Sequence, residues 1–180
     1  MPIFKVIHRA GPGFSNTEVS KYHDDEALDT VIGYCQDATK TEGKYIGGYG
    51  VNAAQAALEM NLLAWAYGAD HGLRLRHWIL AFRQDEVRQF GDHVYPILNQ
   101  IAQQAAAYYG QQYQIIYTIH VDRAHPHIHF VMNTVNFVTG RKYPGDKADY
   151  YAYQKYLGEL LRPFDLYVMA VSDDGERTDF

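Results

Sequence analysis

"YQIIYTIHVDRAHPHIHFVMNTVNF", residues 113–137, holds two runs rich in Ile, Val, Tyr, Thr and Phe on either side of a short link, Arg123-Ala124. Such residues fit a pleated, half-buried surface, so the runs read as strands over 113–122 and 125–137, and the link predicts a hairpin. Positions 120–130 crowd four histidines and an aspartate into this hairpin. Side chains alternate faces along a strand, so His127 and His129 project from one face. His125 has the same parity but sits at the strand entrance, beside Pro126. On the preceding strand His120 and Asp122 share a face, and pairing of the two strands would bring His120 beside His127 and His129.

Three neutral imidazoles placed in this way suit one divalent ion. Three protein ligands leave coordination positions open, as a catalytic metal needs and a structural one does not. Asp122 suits an outer role, accepting a ring N–H and so orienting a ligand. The plainer alternative is a satisfied, partly buried polar set on a sheet edge. An H-x-H pair on an apolar strand, with a further His on the neighbouring strand, favours the metal, because buried polar groups need partners. An all-nitrogen set would accept Zn²⁺, Ni²⁺ or Co²⁺ as readily as Mg²⁺ or Mn²⁺.

Outward from the hairpin the pattern alternates between strands and helices. "IFKVIHR" (3–9) alternates apolar and polar residues as a strand does, and "GPGFSN" follows as a turn-rich loop. From Asp24, "DDEALDTVIGYCQDA" reads as a helix with acids at its start. "TKTEGKYIGGYG" reads as a flexible glycine-rich loop, handing over to a helix capped near Asn52. A strand is expected at roughly 73–82. "DEVRQFGDHVYPILNQIAQQAAAYYG" reads as one long helix bent by Pro96. After the hairpin come a helix, "DKADYYAYQKYLGELLRPF", and a closing strand, "LYVMAVS". Five strands and about four helices indicate an α+β or α/β layered domain.

Composition narrows the function classes. The chain has 180 residues, 47% of them hydrophobic, which suits one folded domain over 1–180. Nothing resembles a signal peptide or a spanning helix, so no membrane insertion is expected. The single Cys35 excludes an internal disulfide framework and fits a reducing cytoplasm. A formal net charge of -5 argues against a generic nucleic-acid binder. Part of that charge is local, since the tail "DDGERTDF" is strongly acidic. That abrupt end is compatible with the nuclease end of a longer protein.

The run "HVDRAHPHIHFVMNTVN" followed by "GRKY" resembles the third motif of plasmid mobilisation relaxases, members of the HUH endonuclease superfamily. That superfamily is named for two histidines around a hydrophobic residue, here His127-Ile128-His129. The upstream H-x-D is met by His120-Val121-Asp122, and a downstream Asn by Asn133. "VIGYCQDATKT" resembles the first relaxase motif, in which a helical Tyr precedes a Lys-Thr pair. "RHWILAFRQDE" and "AALEMNLLA" resemble further family segments.

The resemblance implies an α+β domain with a central, mainly antiparallel five-stranded sheet flanked by helices. It implies a single-strand DNA transesterase acting at a transfer origin, with accessory DNA-binding proteins and a coupling protein as partners. Tyr34 would be the nucleophile, forming a 5′-phosphotyrosyl link and freeing a 3′-hydroxyl. His120, His127 and His129 would hold Mg²⁺ or Mn²⁺ in the working enzyme. Asp122 would serve as the base for the phenol or as the group that orients a histidine. Lys40, Lys44, Arg141 and Lys142 are candidates for DNA phosphates, and Asn133 for hydrogen bonding at the site. Tyr45 and Tyr49 flank Gly47-Gly48 and compete as nucleophiles or as base-stacking groups. Tyr151, one helical turn from Lys155, matches the Y-x-x-x-K of rolling-circle replication initiators. A three-histidine enzyme acting on a small molecule and an inactive DNA-binding relative are the remaining alternatives. His77 begins its own strand and could come near the metal or simply cap the sheet; it receives no role.

Overall fold

A computed structural model describes residues 1–7, 22–122, 125–171 and 177–178. The end of the first expected strand (His8, Arg9), the "GPGFSN" loop, the hairpin link Arg123-Ala124 and most of the acidic tail lie outside the described residues. The elements, in chain order, are β1 Ile3–Ile7, α1 Ala27–Cys35, α2 Ala38–Thr41, β2 Ile46–Tyr49, α3 Ala56–Ala66, β3 Leu75–Ala81, α4 Gln84–Val87, α5 Val94–Gly110, β4 Tyr113–His120, β5 His127–Asn136, α6 Lys147–Leu161, β6 Met169–Val171 and β7 Arg177–Thr178.

The sheet runs β2-β4-β5-β3-β1-β6-β7. Every pairing is antiparallel except β1 with β6, which is parallel. The five expected strands form its body, so the fold is the expected α+β domain, and two short strands extend its edges. The β4–β5 hairpin lies inside the sheet, with β3 on its far side. It pairs His120 with His127 and Thr118 with His129. Its strands end sooner than the propensities suggest. The Val121 N–H turns away to the Lys40 carbonyl (2.7 Å), and the Pro126 carbonyl accepts from the Phe82 N–H (3.0 Å). Pro126 itself has no N–H to give a ladder.

Helices cover both faces. On one, α5 and α6 bury Leu98, Ile101, Tyr153 and Leu157 against Trp78, Tyr117 and Phe130. On the other, α1 and α3 bury Leu28, Ile32 and Met60 against Leu75, Ile116 and Val131. Full burial of a side chain of this size contributes about 1.5–3 kcal/mol. Asn52 caps the entry to α3 as expected, its side chain accepting from the Ala54 N–H (3.0 Å).

Two sequence expectations need correction. The glycine-rich stretch is not an open loop. It holds α2, capped by the Asp37 side chain on the Thr39 N–H, and the edge strand β2. Gly47 makes this pairing possible, because a Cβ there would lie 2.3 Å from the Tyr117 ring. The long helix is also broken, and not at Pro96. Gly91, at φ 51° and ψ -131°, interrupts it before α5 starts at Val94. Pro96 lies in the first turn of α5, where its missing N–H costs nothing.

Candidate metal centre and helix-borne tyrosine

The face covered by α1 carries the histidines. Strand parity and the hairpin register place His120, Thr118, His127 and His129 there together. One nitrogen from each of His120, His127 and His129 lies within 4.8 Å of the others. Their ring centroids are 4.2 Å apart for His120–His129, 4.9 Å for His127–His129 and 5.0 Å for His120–His127.

The hydrogen bonds leave a donor set that suits a cation. His120 gives its Nε2–H to the Cys35 carbonyl (2.8 Å), so its Nδ1 is the nitrogen left for a ligand. His127 Nδ1 lies 3.1 Å from the His125 carbonyl. His129, only 2% exposed, leaves its Nε2 buried with no hydrogen-bond partner. A buried ring nitrogen left unpaired is costly unless something takes its lone pair. Burial drives the His129 pKa well below the usual histidine range, and neighbouring imidazoles add to this. Burial also lowers His120, opposed by its bond to Cys35 and by the Asp122 carboxylate. Neutral imidazoles are the form that binds metal. The residues present therefore fit a divalent ion.

Tyr34 is the penultimate residue of α1, which seats its apolar side on the sheet through Val31, Ile32 and Cys35. The residue is 50% exposed, and its ring lies 5.9 Å from the His120 ring and 5.8 Å from the His129 ring. The Lys40 ammonium sits 3.5 Å above the Tyr34 ring centroid and 3.7 Å from Asp37. Hydrogen bonds from Thr39 hold the Asp37 carboxyl below its ordinary value. Asp122 is exposed just past β4, close enough to favour a proton on His120.

The competing tyrosines lie elsewhere. Tyr45 and Tyr49 pack with the opposite core, and Tyr45 stacks on Tyr95 at 5.6 Å. Tyr151 is carried by α6, whose buried side joins that same opposite core.

The basic candidates divide. Lys40 is at the tyrosine. Lys44 is exposed and pairs with Glu42 at 3.4 Å. Arg141 and Lys142 lie at the far end of β5. The Lys142 ammonium donates to the Leu73 carbonyl (2.7 Å) and to Thr134 (3.1 Å), and burial lowers its pKa. Thr134 is five residues from His129, roughly 17 Å along the strand. Asn133 is not brought to the cluster either. It is fully buried, donating to the Met60 carbonyl and to Gln114 and accepting from the Val135 N–H. It fastens α3 to the sheet and has no surface to offer DNA.

Sequence reasoning missed three neighbours of the cluster. His77 Nε2 lies 2.8 Å from His129 Nδ1, Tyr22 Oη lies 3.0 Å from His77 Nδ1, and Cys35 Sγ lies 3.8 Å from His77 Nε2. Burial lowers the His77 pKa to about 4 and raises the Cys35 thiol to about 12, so both are neutral near pH 7.

An α+β domain whose central hairpin gathers three imidazoles beneath a helix-borne tyrosine is the class expected of a DNA-nicking nuclease. Residues 34–166 match the family model described as "Relaxase: MobA/VirD2-like, nuclease domain", and the chain belongs to that family. The match begins at Tyr34 and includes all three histidines. Over 81 residues the chain is 31% identical to "Protein rlx" of Staphylococcus aureus, a stretch that covers 45% of this chain and 23% of that protein. No solved structure matches the chain. Among the described residues no helix is long and apolar enough to cross a membrane.

Proposed function

We propose that this chain nicks one strand of DNA at a transfer origin, keeps the 5′ end as a phosphotyrosyl ester on Tyr34, and rejoins it later. The observation that carries the reading is the position of Tyr34. It is half exposed, its ring lies within 6 Å of two of the clustered histidine rings, and the rival tyrosines belong to the other side of the sheet.

His120, His127 and His129 would hold the divalent ion, Mg²⁺ or Mn²⁺ in use. When bound, such an ion offsets negative charge on the oxygens of the scissile phosphate. The Tyr34 oxygen attacks phosphorus, and the bond from phosphorus to the 3′ oxygen breaks. Asp122 takes the phenol proton and returns it to the departing 3′ oxygen, leaving a free 3′-hydroxyl. One phosphodiester replaces another, so the reverse attack reseals the strand without an energy source. Lys40 pins the tyrosine ring by a cation–π contact and offers its charge to a phosphate. Lys44, exposed at the surface and paired with Glu42, adds a weaker phosphate contact. Single-stranded DNA is the substrate, and accessory DNA-binding proteins and a coupling protein are the expected partners.

The test is a nicking assay on labelled single-stranded DNA from the element's own transfer origin, with Mn²⁺ or EDTA. Wild type should cleave with Mn²⁺ and form a covalent protein–DNA adduct, and neither should occur with EDTA or in Tyr34→Phe. An adduct that persists in Tyr34→Phe would place the nucleophile elsewhere.

A further inference from the structure

Resting on the metal site just proposed, we propose that His77 is a positioning residue, which together with Tyr22 locks His129 in the one tautomer able to bind the ion. His77 belongs to β3 and is not one of the three clustered ligands. Its Nε2 is 2.8 Å from His129 Nδ1, and its Nδ1 is 3.0 Å from the Tyr22 hydroxyl oxygen. The stacked rings of His77 and His129 are 5.1 Å apart at an angle of 26°, buried beneath α1.

A neutral imidazole has one N–H and one lone pair, and the contact between two rings needs one of each. Suppose His129 carried its proton on Nε2. That N–H would be buried with no acceptor, because this atom has no partner. Suppose instead that the proton is on Nδ1. It is then donated to the lone pair of His77 Nε2, and the His77 proton must sit on Nδ1, where the Tyr22 oxygen accepts it. Both nitrogens of His77 and the Nδ1 of His129 are then paired, and the His129 Nε2 lone pair is left over, on a ring whose centroid lies 4.2 Å from that of His120 and 4.9 Å from that of His127. The row therefore aims one lone pair at the centre of the cluster and fixes the ring plane that carries it. The Cys35 thiol, 3.8 Å from His77 Nε2, stays protonated and adds no competing charge.

Outer partners of metal-bound histidines typically change metal affinity by about 10–100-fold. The geometry predicts a loss of that size for His77→Leu, which removes the acceptor. His77→Gln can still accept from His129 through its side-chain carbonyl, and it should stay within a few-fold of wild type. Tyr22→Phe should cause a smaller loss than His77→Leu. The experiment is Mn²⁺ titration of the whole chain, with folding checked by thermal melts. In parallel, ¹H–¹⁵N NMR of the metal-free protein reads the His129 tautomer.

The expected result is an Nδ1–H tautomer for His129 in wild type, and metal affinity in the order wild type, His77→Gln, His77→Leu. An Nε2–H tautomer, or equal Mn²⁺ affinity in folded wild type and His77→Leu, would overturn the proposal. If His77→Leu does not fold, the wild-type tautomer and the Tyr22→Phe titration decide it. Failure of wild type to bind Mn²⁺ at all would overturn the metal site itself, whereas the tautomer measurement tests the row in the metal-free protein.

Discussion

Lys40→Met is the sharpest perturbation of the site. The ammonium lies 3.5 Å from the Tyr34 ring centroid, its side chain is 22% exposed, and Asp37 stands 3.7 Å away. Methionine keeps most of the side-chain bulk and removes only the charge. A cation–π contact at a partly exposed site contributes about 0.5–1 kcal/mol. If that energy serves to place the tyrosine, nicking should slow by about 2–5-fold. The phosphate contact has a separate signature. Each contact to single-stranded DNA changes the slope of log affinity against log salt by about 0.7. Losing one contact should make that slope less negative by about 0.7, so the affinity gap between wild type and variant should narrow about 2–3-fold from 50 to 200 mM salt. Fluorescence anisotropy with a labelled single-stranded oligonucleotide in EDTA measures binding without cleavage. Lys142→Met is the control, since its ammonium is bound to Leu73 and Thr134 at the other end of β5. An unchanged slope for Lys40→Met, or an equal change for Lys142→Met, would refute the assignment.

Three further outcomes follow from the same geometry. His77 has a pKa of about 4 in the folded chain against 6.5 in the unfolded one, so between these values the unfolded chain binds a proton that the folded chain does not. His77 alone should therefore account for about 3 kcal/mol of the stability that metal-free protein loses as pH falls from 7 to 4, and His77→Leu should show a shallower decline in urea melts at the same pH values. Asn133→Ala removes three buried hydrogen bonds and should cost about 2–4 kcal/mol while leaving the salt slope of DNA binding unaltered. Gly47→Ala pushes a methyl into the Tyr117 ring and should cost about 1–3 kcal/mol, or roughly 2–10 °C in Tm; Tyr117→Leu in the same chain should restore part of it. A Gly47→Ala melt equal to wild type would show that the edge strand can shift to make room.

The hairpin was the most legible part of the chain. Period-two alternation places His127 and His129 on one face, and a hairpin has few registers that also bring His120 opposite. That His77 could come near the metal was readable, but its contact with His129 was not, for the converse reason. It depends on how β3 docks on β5 across a crossover of many residues, which no local pattern specifies. The strand Ile46–Tyr49 escaped because "IGGY" has no alternation and glycine disfavours strands; the pairing needs glycine at 47, because the Tyr117 ring occupies the space a Cβ would take. Proline drew the eye to position 96, yet a positive φ at Gly91 makes the break, since proline is harmless in a first turn. Arg141, Lys142 and Asn133 looked like site residues because they follow the histidines closely in sequence. An extended strand carries such neighbours away from the site at more than 3 Å per residue.

The bond from His120 to the Cys35 carbonyl ties the end of α1 directly to the histidine cluster. Cys35 is the residue next to Tyr34, so the imidazole proposed to hold the ion also holds the helix end beside the proposed nucleophile. Withdrawing electron density through Nδ1 makes the opposite N–H a better donor, and a firmer grip on the helix end in turn holds the ring still. Reciprocity then requires that whatever steadies the end of α1 tightens the ion, and by the same factor that the ion steadies the helix. DNA closing over Tyr34 would thus feed back on metal retention, making the loaded, substrate-bound protein a single thermodynamic unit.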